Sequence, residues 1–592
     1  MARGGFSLKF LFSYCKKYKW VIGGTMLLKA VATFMELLIP YVLEHLIDNV
    51  APTKNLSMIF LWGAVMLVMA LAGRYFNVKS NRRAVKVSAE AAYEIRRDLF
   101  WHSVNLSGSQ TDEIGLPSLT SRMTVDSYNV QDMLRAFQTM AIRAPMLILG
   151  GIIVTMTMDM GLSLILCILA PLGIALVSFA SFRGIPLYDK VQQGVDDITR
   201  VMRENITGIR VVKALSKEPY EMGRFSAVNE EMSRRERKAS IIMSLPGPLM
   251  TLVLNCGLIL VVLVGAIRVN NGVTDPGVIL AFLTYFNMIL TAIMGLNRVF
   301  LTMSKASASA NRIADVIARP DTLAALTEEQ APGTDQEGYI IFDDVSFRYG
   351  EDSQDGNADF AGEERQMSLE NIRFTMKKGG SLGIIGPTGC GKTTIINLLM
   401  RFYDPTSGRV YVDGKDVRTY ERDALHRMFG VVFQNDVIFS DTLAENISFG
   451  REVEESVMRR AAADACAAEF VEAYDDQYQH RATIHGSNLS GGQRQRILIS
   501  RALAGNPDIL VLDDSSSALD YKTDAALRRA VLEHYSGTTS IVIAQRVSSI
   551  MNLDQILVMD EGRIIGQGTH EELLRTCPQY LDIYKTQMGE EE

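Results

Sequence analysis

Long apolar stretches fill the first half of this chain, and their length constrains the fold more than any other feature of the sequence. A helix needs roughly 20 apolar residues to cross the ~30 Å hydrocarbon core of a bilayer. Six candidate spans are near or above that length, at residues 20–43, 57–77, 137–158, 160–181, 243–268 and 276–303. The sequence therefore predicts a six-span α-helical membrane domain.

The connections between these spans differ in length and charge. After spans one, three and five they are short and nearly free of lysine and arginine, whereas after spans two and four they are long and basic, with the runs NVKSNRRAVK and RRERK. Basic loops remain on the cytoplasmic side of a membrane. We therefore expect a multi-pass protein of the cell membrane with both termini and both long connections in the cytoplasm.

The two long connections carry helical periodicity and few helix breakers, so the spans are expected to continue as helices into the cytoplasm. Each connection then reverses at a short turn, for which the candidate segments are 115–130 and 211–225. From periodicity alone, these turns are either solvated hairpins or contacts for a cytoplasmic domain.

The composition changes after the last span. Residues 318–337 form a linker rich in proline, glycine and acidic side chains, and residues 338–592 have the mixed charge and short apolar runs of a soluble α/β domain. The acidic stretch 350–366 is expected to be a surface loop and is assigned no function. A net charge of −7 gives no sign of nucleic-acid binding, and the six scattered cysteines lack the paired spacing of a metal site.

The run GPTGCGKTT follows an apolar strand, precedes an apolar helix and matches the phosphate-binding pattern G-x-x-x-x-G-K-[ST]. Its glycines let backbone N–H groups wrap the phosphates of ATP, and the helix N-terminus adds the positive end of its dipole. Lys392 is expected to span the β- and γ-phosphates, and Thr393 to ligate Mg²⁺. The candidate nucleotide-binding residues of this loop are Gly386, Thr388, Gly389, Cys390, Gly391, Lys392, Thr393 and Thr394.

A second apolar strand, within DILVLDD, ends in two aspartates. As a buried parallel strand it places Asp513 to hold Mg²⁺. Asp514 follows at a position where a nucleotide hydrolase is expected to carry glutamate.

Between these two elements lies NLSGGQRQR, and the three together resemble the nucleotide-binding domain of the ABC transporter family. Six spans before such a domain resemble an exporter-type half-transporter, so the resemblance covers essentially the whole chain. It implies an α-helical six-span membrane domain of the ABC exporter type at 1–317, with two cytoplasmic coupling hairpins, followed by an α/β P-loop NTPase nucleotide-binding domain at 338–592.

Further motifs occur in the family's order. The resemblance assigns Tyr349 to stacking on adenine, Gln434 to the nucleotide and Mg²⁺, and Ser517 to Asp520 to the D-loop. The signature residues are Leu489, Ser490, Gly491, Gly492 and Gln493.

The resemblance also implies a dimer, in which each ATP lies between the phosphate loop of one chain and the signature of the other. The signature is itself an anion cradle at a helix start, and one chain cannot fold two opposed cradles onto one phosphate. Nucleotide then joins the two chains, and hydrolysis removes the γ-phosphate contacts that hold them together. The two turning segments resemble the family's coupling helices.

The hydrolytic site departs from the family at two positions. The family carries a glutamate after the strand aspartate and a later histidine at the γ-phosphate, where this chain has Asp514 and Gln545. Aspartate is one methylene shorter, and a ~1 Å misplacement of a catalytic group costs on the order of 10²-fold in rate. Glutamine cannot exchange a proton as histidine does. These two residues indicate a site that binds ATP with Mg²⁺ but hydrolyses it slowly or not at all.

The intact signature beside an altered catalytic pair resembles the degenerate-site subunit of a heterodimeric ABC multidrug exporter. The run TIHGSN before the signature also departs from the family pattern, which puts crosstalk at that loop in doubt. The expected partners are a second half-transporter, membrane lipid and an amphiphilic cargo, either a drug or a lipid-like molecule. A homodimer with weak ATPase activity, a solute importer of the same architecture and a non-transporting nucleotide sensor remain as alternatives.

The sequence of the membrane half indicates the cargo less specifically than the motifs of the second half indicate ATP. Lys29 and Glu36 lie about two turns apart on one face of the first span, which predicts an intramembrane ion pair or a contact with cargo. Asn255, Asn287 and Asn297 are expected to bond between helices or to line a cavity. The 29 methionines suit an adaptable pocket.

Overall fold

The computed structural model describes residues 10–11, 13–350, 367–515 and 518–588. Within these residues the chain forms two compact units. The first spans Met1–Val104 and Pro117–Arg319, and the second spans Asn105–Leu116 and Pro320–Glu592. Except for Gly350, the acidic stretch 350–366 lies outside the described residues, as does Ser517 of the D-loop.

The first half of the chain is helical throughout its described part. Short 3-10 turns at Lys16–Tyr18 and Ala51–Thr53 and π turns at Leu46–Val50 and Arg122–Asp126 interrupt or precede the helices. The helices are α1 (Lys19–His45), α2 (Leu56–Val104), α3 (Gly108–Ile114), α4 (Leu116–Ser121), α5 (Ser127–Met158), α6 (Met160–Thr207), α7 (Ile209–Ala214), α8 (Glu218–Ser244), α9 (Pro246–Asn270) and α10 (Pro276–Ile317).

Six helical segments of the described chain are long and apolar enough to cross a membrane, which confirms the predicted number of spans. They are Ser13–Thr53, Leu56–Val104, Leu116–Met158, Met160–Gly184, Glu218–Asn270 and Pro276–Leu296. Their partners within the first unit are other helices. At one close approach, a Cβ on Gly257 of α9 would overlap the buried ring of Phe286 on α10, so the helices pack closely around this glycine.

The ion pair predicted between Lys29 and Glu36 is wrong. Lys29 Nζ instead donates to Oδ1 of Asn77 at 3.2 Å and of Asn81 at 2.9 Å, both on α2. Glu36 pairs with Arg143 of α5, with 2.9 Å between Oε1 and Nη2. Residues two turns apart are separated by roughly 10 Å along a helix axis, so each side chain reaches a neighbouring helix more readily than the other.

Asn255 and Asn287 show no bond between helices among the described contacts. Asn287 Nδ2 donates to the Leu283 carbonyl one turn earlier on α10, at 3.3 Å. Asn255 is exposed on α9, and the side chain of Asn297 lies outside the described residues.

The first reversal between spans lies upstream of the predicted segment 115–130. The chain turns between α2 and α4, and α3 packs within the second unit rather than with the membrane helices. Segment 117–130 already belongs to the third span. The second reversal follows α7 and lies inside the predicted segment 211–225.

The second unit holds two sheets. The four-stranded antiparallel sheet has the order β2-β1-β4-β5, and the six-stranded sheet has the order β10-β9-β3-β8-β7-β6. In the larger sheet only β10 is antiparallel to its neighbour. The strands are β1 (Ile340–Phe347), β2 (Leu369–Met376), β3 (Ser381–Ile385), β4 (Ser407–Val412), β5 (Lys415–Asp416), β6 (Phe429–Val432), β7 (Ile509–Asp513), β8 (Thr539–Ile543), β9 (Gln555–Asp560) and β10 (Arg563–Gly568).

Helices cover these sheets and follow the parallel strands. They are α11 (Lys392–Leu399), α12 (Arg422–Arg427), α13 (Leu443–Ser448), α14 (Glu455–Asp464), α15 (Ala468–Val471), α16 (Gly491–Leu503), α17 (Tyr521–His534), α18 (His570–Thr576) and α19 (Pro578–Met588). Short 3-10 turns lie at Val417–Thr419, Gln477–Gln479, Ile484–Gly486 and Val547–Ser549. Phe342 of β1, Ile384 of β3 and Val511 of β7 share one buried core with α11. Because this core joins the two sheets, it fixes the positions of the strands β3 and β7, whose ends carry the site.

Candidate nucleotide-binding site

Four neighbouring parallel strands bring the site together. The strands β3, β8, β7 and β6 run side by side in one direction, so their carboxyl ends lie at one edge of the sheet. The phosphate loop follows β3, Gln545 follows β8, Asp513 and Asp514 end β7, and Gln434 follows β6. Residues far apart in sequence therefore line one cleft, at the sheet edge where open α/β folds bind ligands.

Most of the sequence-predicted nucleotide-binding residues line this cleft. Ser368 and Ile543, which belong to no recognised motif, also line it. The predicted residues on its surface are Tyr349, Thr388, Gly389, Gly391, Lys392, Thr393, Thr394, Gln434, Asp513, Asp514 and Gln545.

The phosphate loop has a backbone that requires glycine. Gly391 has φ 99°, and a Cβ there would lie 2.6 Å from Cδ2 of Leu369. Lys392 begins α11, and its Nζ donates to the carbonyls of Gly386 at 2.9 Å and Pro387 at 2.7 Å. Cys390 is buried, and burial raises the pKa of its thiol. Gly386 and Cys390 are absent from the described lining of the cleft and instead take part in contacts within the loop.

The predicted magnesium ligands lie together. Thr393 Oγ1 donates to Asp513 Oδ2 at 2.8 Å, and Gln434 lines the same cleft. A hydroxyl, a carboxylate and an amide oxygen are hard donors of the kind Mg²⁺ takes beside nucleotide phosphates. Burial raises the pKa of Asp513, while the Thr393 hydroxyl and the charge of Lys392 act in the opposite direction. The residues present fit an ATP-bound Mg²⁺.

Asp514 and Gln545 contact each other directly. Gln545 Nε2 donates to Asp514 Oδ2 at 2.8 Å, and Gln545 O accepts from Nε2 of Gln587 at 2.7 Å. Asp514 has φ 50°, a left-handed conformation that aspartate adopts more readily than most residues. Burial raises the pKa of its carboxyl, against the charge of Lys392 and the bond from Gln545. The pair places a short carboxylate and a neutral amide at the edge of the phosphate loop.

Tyr349 lines the cleft beside α11. Its hydroxyl donates to Thr394 Oγ1 at 3.2 Å and accepts from Asn397 Nδ2 at 3.3 Å, so its position is fixed against α11. Its ring makes an edge contact with Tyr403, with 5.2 Å between ring centroids. This position suits an aromatic side chain that stacks on the base of a nucleotide bound in the cleft.

The signature forms the start of α16. Ser490 caps that helix: its Oγ accepts from Gln493 N at 3.2 Å, and its N–H donates to Gln493 Oε1 at 2.8 Å. Leu489 is buried, whereas Ser490 and Gly491 are exposed and Gly492 is partly exposed. Among the residues that the structure describes, none from Leu489 to Gln493 lines the cleft. The signature is therefore an exposed helix start apart from this chain's own phosphate loop.

Asp520 of the D-loop caps α17. Its Oδ1 accepts from Thr523 N at 2.9 Å, and its Oδ2 accepts from Thr523 Oγ1 at 2.9 Å. These bonds lower the pKa of Asp520. The capped helix start fixes the end of the D-loop.

A contact links Tyr403, beside the nucleotide site, to α3, and the sequence motifs do not predict it. Tyr403, whose ring touches Tyr349, donates from its hydroxyl to Asp112 Oδ2 of α3 at 2.6 Å. Gly108 of α3 donates its N–H to the Phe402 carbonyl at 3.2 Å. No motif marks Tyr403 or Asp112, because their pairing is tertiary. The only local signal is the capping box of α3, in which Ser107 pairs with Gln110.

Two family models match the chain. The model for the ABC transporter transmembrane region matches residues 22–294, and the ABC transporter model matches residues 369–517. An uncharacterized ABC transporter ATP-binding protein of Mycobacterium tuberculosis is 32% identical over 584 residues, covering 98% of each chain. One from Bacillus subtilis is 31% identical over 580 residues, again covering 98% of each chain.

The fold also matches a solved structure. A bacterial Atm1-family ABC exporter with ATP bound superposes with a TM-score of 0.79, covering 97% of this chain and 99% of that one. The sequence identity is 23%, so this likeness concerns the fold alone.

Proposed function

Because the chain belongs to the ABC transporter family, we propose that it is one half of a heterodimeric exporter in which its own ATP site is the slow one. It is a multi-pass membrane protein with an exporter-type membrane region and an ATP-binding domain on one chain. Exporters of this family work as dimers. In our proposal the partner is a second, different half-transporter, and the cargo is an amphiphilic drug or lipid-like molecule that leaves the cell.

The observation that carries the proposal is the contact between Asp514 and Gln545. Hydrolysis needs a carboxylate beside the attacking water and a group at the γ-phosphate that can share in proton transfer. The Asp514 carboxylate is one methylene short of glutamate and accepts a bond from the Gln545 amide at 2.8 Å. An amide has no acid–base chemistry near neutral pH. ATP with Mg²⁺ therefore binds at this cleft, held by Lys392, Thr393 and Asp513, but turns over slowly.

The second support is the intact signature. Ser490 and the N–H groups at the start of α16 form an anion cradle that lies outside the described lining of this chain's own cleft. A chain with a weak catalytic pair and a complete signature is suited to completing the active site of a partner. In the proposed dimer, the partner's site hydrolyses ATP. The proposed orientation places both termini of this chain in the cytoplasm.

The test is repair of the degenerate pair. The double variant Asp514→Glu with Gln545→His, purified in lipid nanodiscs with the wild-type partner, should hydrolyse ATP at this chain's loop about 10- to 100-fold faster, because the carboxylate regains its reach. Time-resolved loss of nucleotide trapped at this site is the measurement. Each single variant is a control, and thermal unfolding reports whether glutamate is tolerated at φ 50°.

Four outcomes would contradict the proposal. If the double variant hydrolyses no faster beside a partner with an intact signature, the two residues are not the cause of slow turnover. An active complex that forms from this chain alone favours a homodimer with two weak sites. Inward accumulation of an extracellular ligand identifies an importer, and transport that is unaffected by Lys392→Ala identifies a nucleotide sensor.

A further inference from the structure

A cavity of about 470 Å³ lies in the membrane unit among α1, α2, α5 and α10. The ionisable side chains on its wall are mostly cationic: they are Lys29, Arg74, Asp132, Arg135 and Arg143. We call it the basic cavity. Charge inside a membrane segment is costly unless it is compensated, so an excess of one sign points to a ligand of the other.

Two of the cations have carboxylate partners. Arg135 pairs with Asp132 one turn earlier on α5. Arg143 pairs with Glu36 of α1, with Arg143 Nη2 2.9 Å from Glu36 Oε1. These pairs neutralise their share of the charge on the wall.

Lys29 and Arg74 are different. Within the described part of the chain, no carboxylate oxygen lies within 4.0 Å of either side chain's nitrogens. Their two positive charges are therefore the net charge of the cavity wall once the ion pairs are counted. Both belong to helices near the start of the chain, Lys29 to α1 and Arg74 to α2.

Lys29 is only 4% exposed, and its partners are neutral. The ammonium donates to the amide oxygens of Asn77 and Asn81, and Asn81 Nδ2 donates to Asn77 Oδ1 at 3.1 Å. This arrangement turns both amide oxygens toward the lysine and fixes the direction of its Nζ. Amide dipoles orient a buried ammonium but do not neutralise it.

An apolar groove lies further along α1 and α5, two of the helices that line the basic cavity. It has a volume of about 360 Å³ and is lined by Phe34 and Leu37 of α1 and by Pro145, Met146 and Leu149 of α5. Phe34 follows Lys29 by little more than one turn, and Pro145 lies two residues after Arg143 on α5. A molecule with a charged head and an apolar tail matches this sequence of surfaces.

We propose that the basic cavity binds the anionic head group, phosphate or carboxylate, of an amphiphilic cargo whose tail lies in the apolar groove. This inference names the cargo class of the proposed exporter and rests on that proposal. Lys29 and Arg74 supply the charge, Asn77 and Asn81 orient Lys29, and cationic amphiphiles are rejected by like-charge repulsion.

The experiment compares amphiphiles that share one tail. The complex with its partner is placed in phosphatidylcholine nanodiscs and titrated with dodecyl phosphate, dodecylphosphocholine, dodecyltrimethylammonium or inorganic phosphate. Binding is followed by thermal shift, and ATPase stimulation is followed in parallel. We expect dodecyl phosphate to bind and stimulate most strongly. Nanodiscs that contain phosphatidylglycerol form a further arm, in which stimulation without added detergent identifies a lipid as the source of the head group.

Charge removal at the two unpaired cations is the decisive comparison. Arg74→Gln and Lys29→Gln should each raise the half-saturating dodecyl phosphate concentration about tenfold, which corresponds to ~1.4 kcal/mol, and leave dodecylphosphocholine unchanged. Arg82→Gln is the matched control, because Arg82 is an exposed arginine on α2 outside the described lining of the cavity. If Lys29→Gln fails to fold, Arg74→Gln decides alone.

The inference is overturned if dodecyltrimethylammonium is preferred, if inorganic phosphate acts as well as dodecyl phosphate, or if Arg74→Gln has no more effect than Arg82→Gln. Its failure is distinguishable from failure of the export proposal. Transport of cationic or zwitterionic amphiphiles by inverted vesicles leaves export standing without an anionic site. Dodecyl phosphate binding that depends on Arg74, with no transport in those vesicles, supports the site and contradicts export.

Discussion

The close contact between Gly108 of α3 and Tyr403 predicts that Gly108→Ala destabilises the packing of α3 against this tyrosine. A Cβ at Gly108 would lie 2.6 Å from Cζ and 2.9 Å from the hydroxyl oxygen of Tyr403. Gly108→Ala therefore pushes the ring away from Asp112, to which the hydroxyl donates at 2.6 Å. Overpacking of this kind costs about 1–3 kcal/mol, which corresponds to roughly a 5- to 150-fold shift in the population of docked α3.

Hydrogen exchange of the α3 amides in nanodiscs measures this shift. Gly108→Ala should accelerate exchange over Gly108–Ile114 by that factor. Gly223→Ala is the control, because a Cβ at Gly223 of α8 meets no atom within 4 Å. In a Tyr403→Ala background, Gly108→Ala should add little further acceleration. Additive effects of the two substitutions, or unchanged exchange in Gly108→Ala, would refute the reasoning.

Three further predictions concern single side chains. Gly391→Ala should lower ATP affinity at this chain's cleft at least about tenfold in nucleotide titrations, because the new Cβ would lie 2.6 Å from Cδ2 of Leu369 at φ 99°. Burial raises the pKa of Asp513, and the metal needs its carboxylate form. Mg²⁺-dependent ATP affinity should therefore fall as the pH decreases through that raised pKa, and Asp513→Asn should remove this pH dependence. Tyr285→Phe removes the buried bond to the Leu37 carbonyl at 2.6 Å and should reduce the free energy of unfolding by about 1 kcal/mol in thermal unfolding.

The spans and the convergence of the cleft were predictable because both depend on short-range patterns. A span is recognisable from the length of its apolar run alone. The phosphate loop, Asp513 and Gln545 each follow an apolar strand, and parallel strands have their carboxyl ends at one edge. Strand order fixes which of these residues are neighbours, and no local pattern in the sequence specifies that order.

The contacts of the charged membrane residues were not predictable in the same way. The spacing of Lys29 and Glu36 showed that they share a helix face, but the partners Asn77 and Arg143 depend on how α1 packs against α2 and α5. The position of α3 depends likewise on a tertiary contact with Tyr403. The left-handed φ of Asp514 also has no sequence signature, since aspartate is common in ordinary backbone conformations as well.

The central claim is that this chain binds ATP at a slow site and completes the partner's fast one, and the ATPase rates of two variants with the wild-type partner test it most directly. Ser490→Arg places a bulky side chain where the partner's γ-phosphate lies and should nearly abolish steady-state activity, because the transition state loses its preorganised donors. Lys392→Ala affects the slow site, so the complex with this variant should retain a higher steady-state ATPase rate than the complex with Ser490→Arg. Ser536→Arg, at an exposed serine between α17 and β8, is the control. Equal loss from the two variants would indicate a symmetric homodimer, and greater loss from Lys392→Ala would contradict the account.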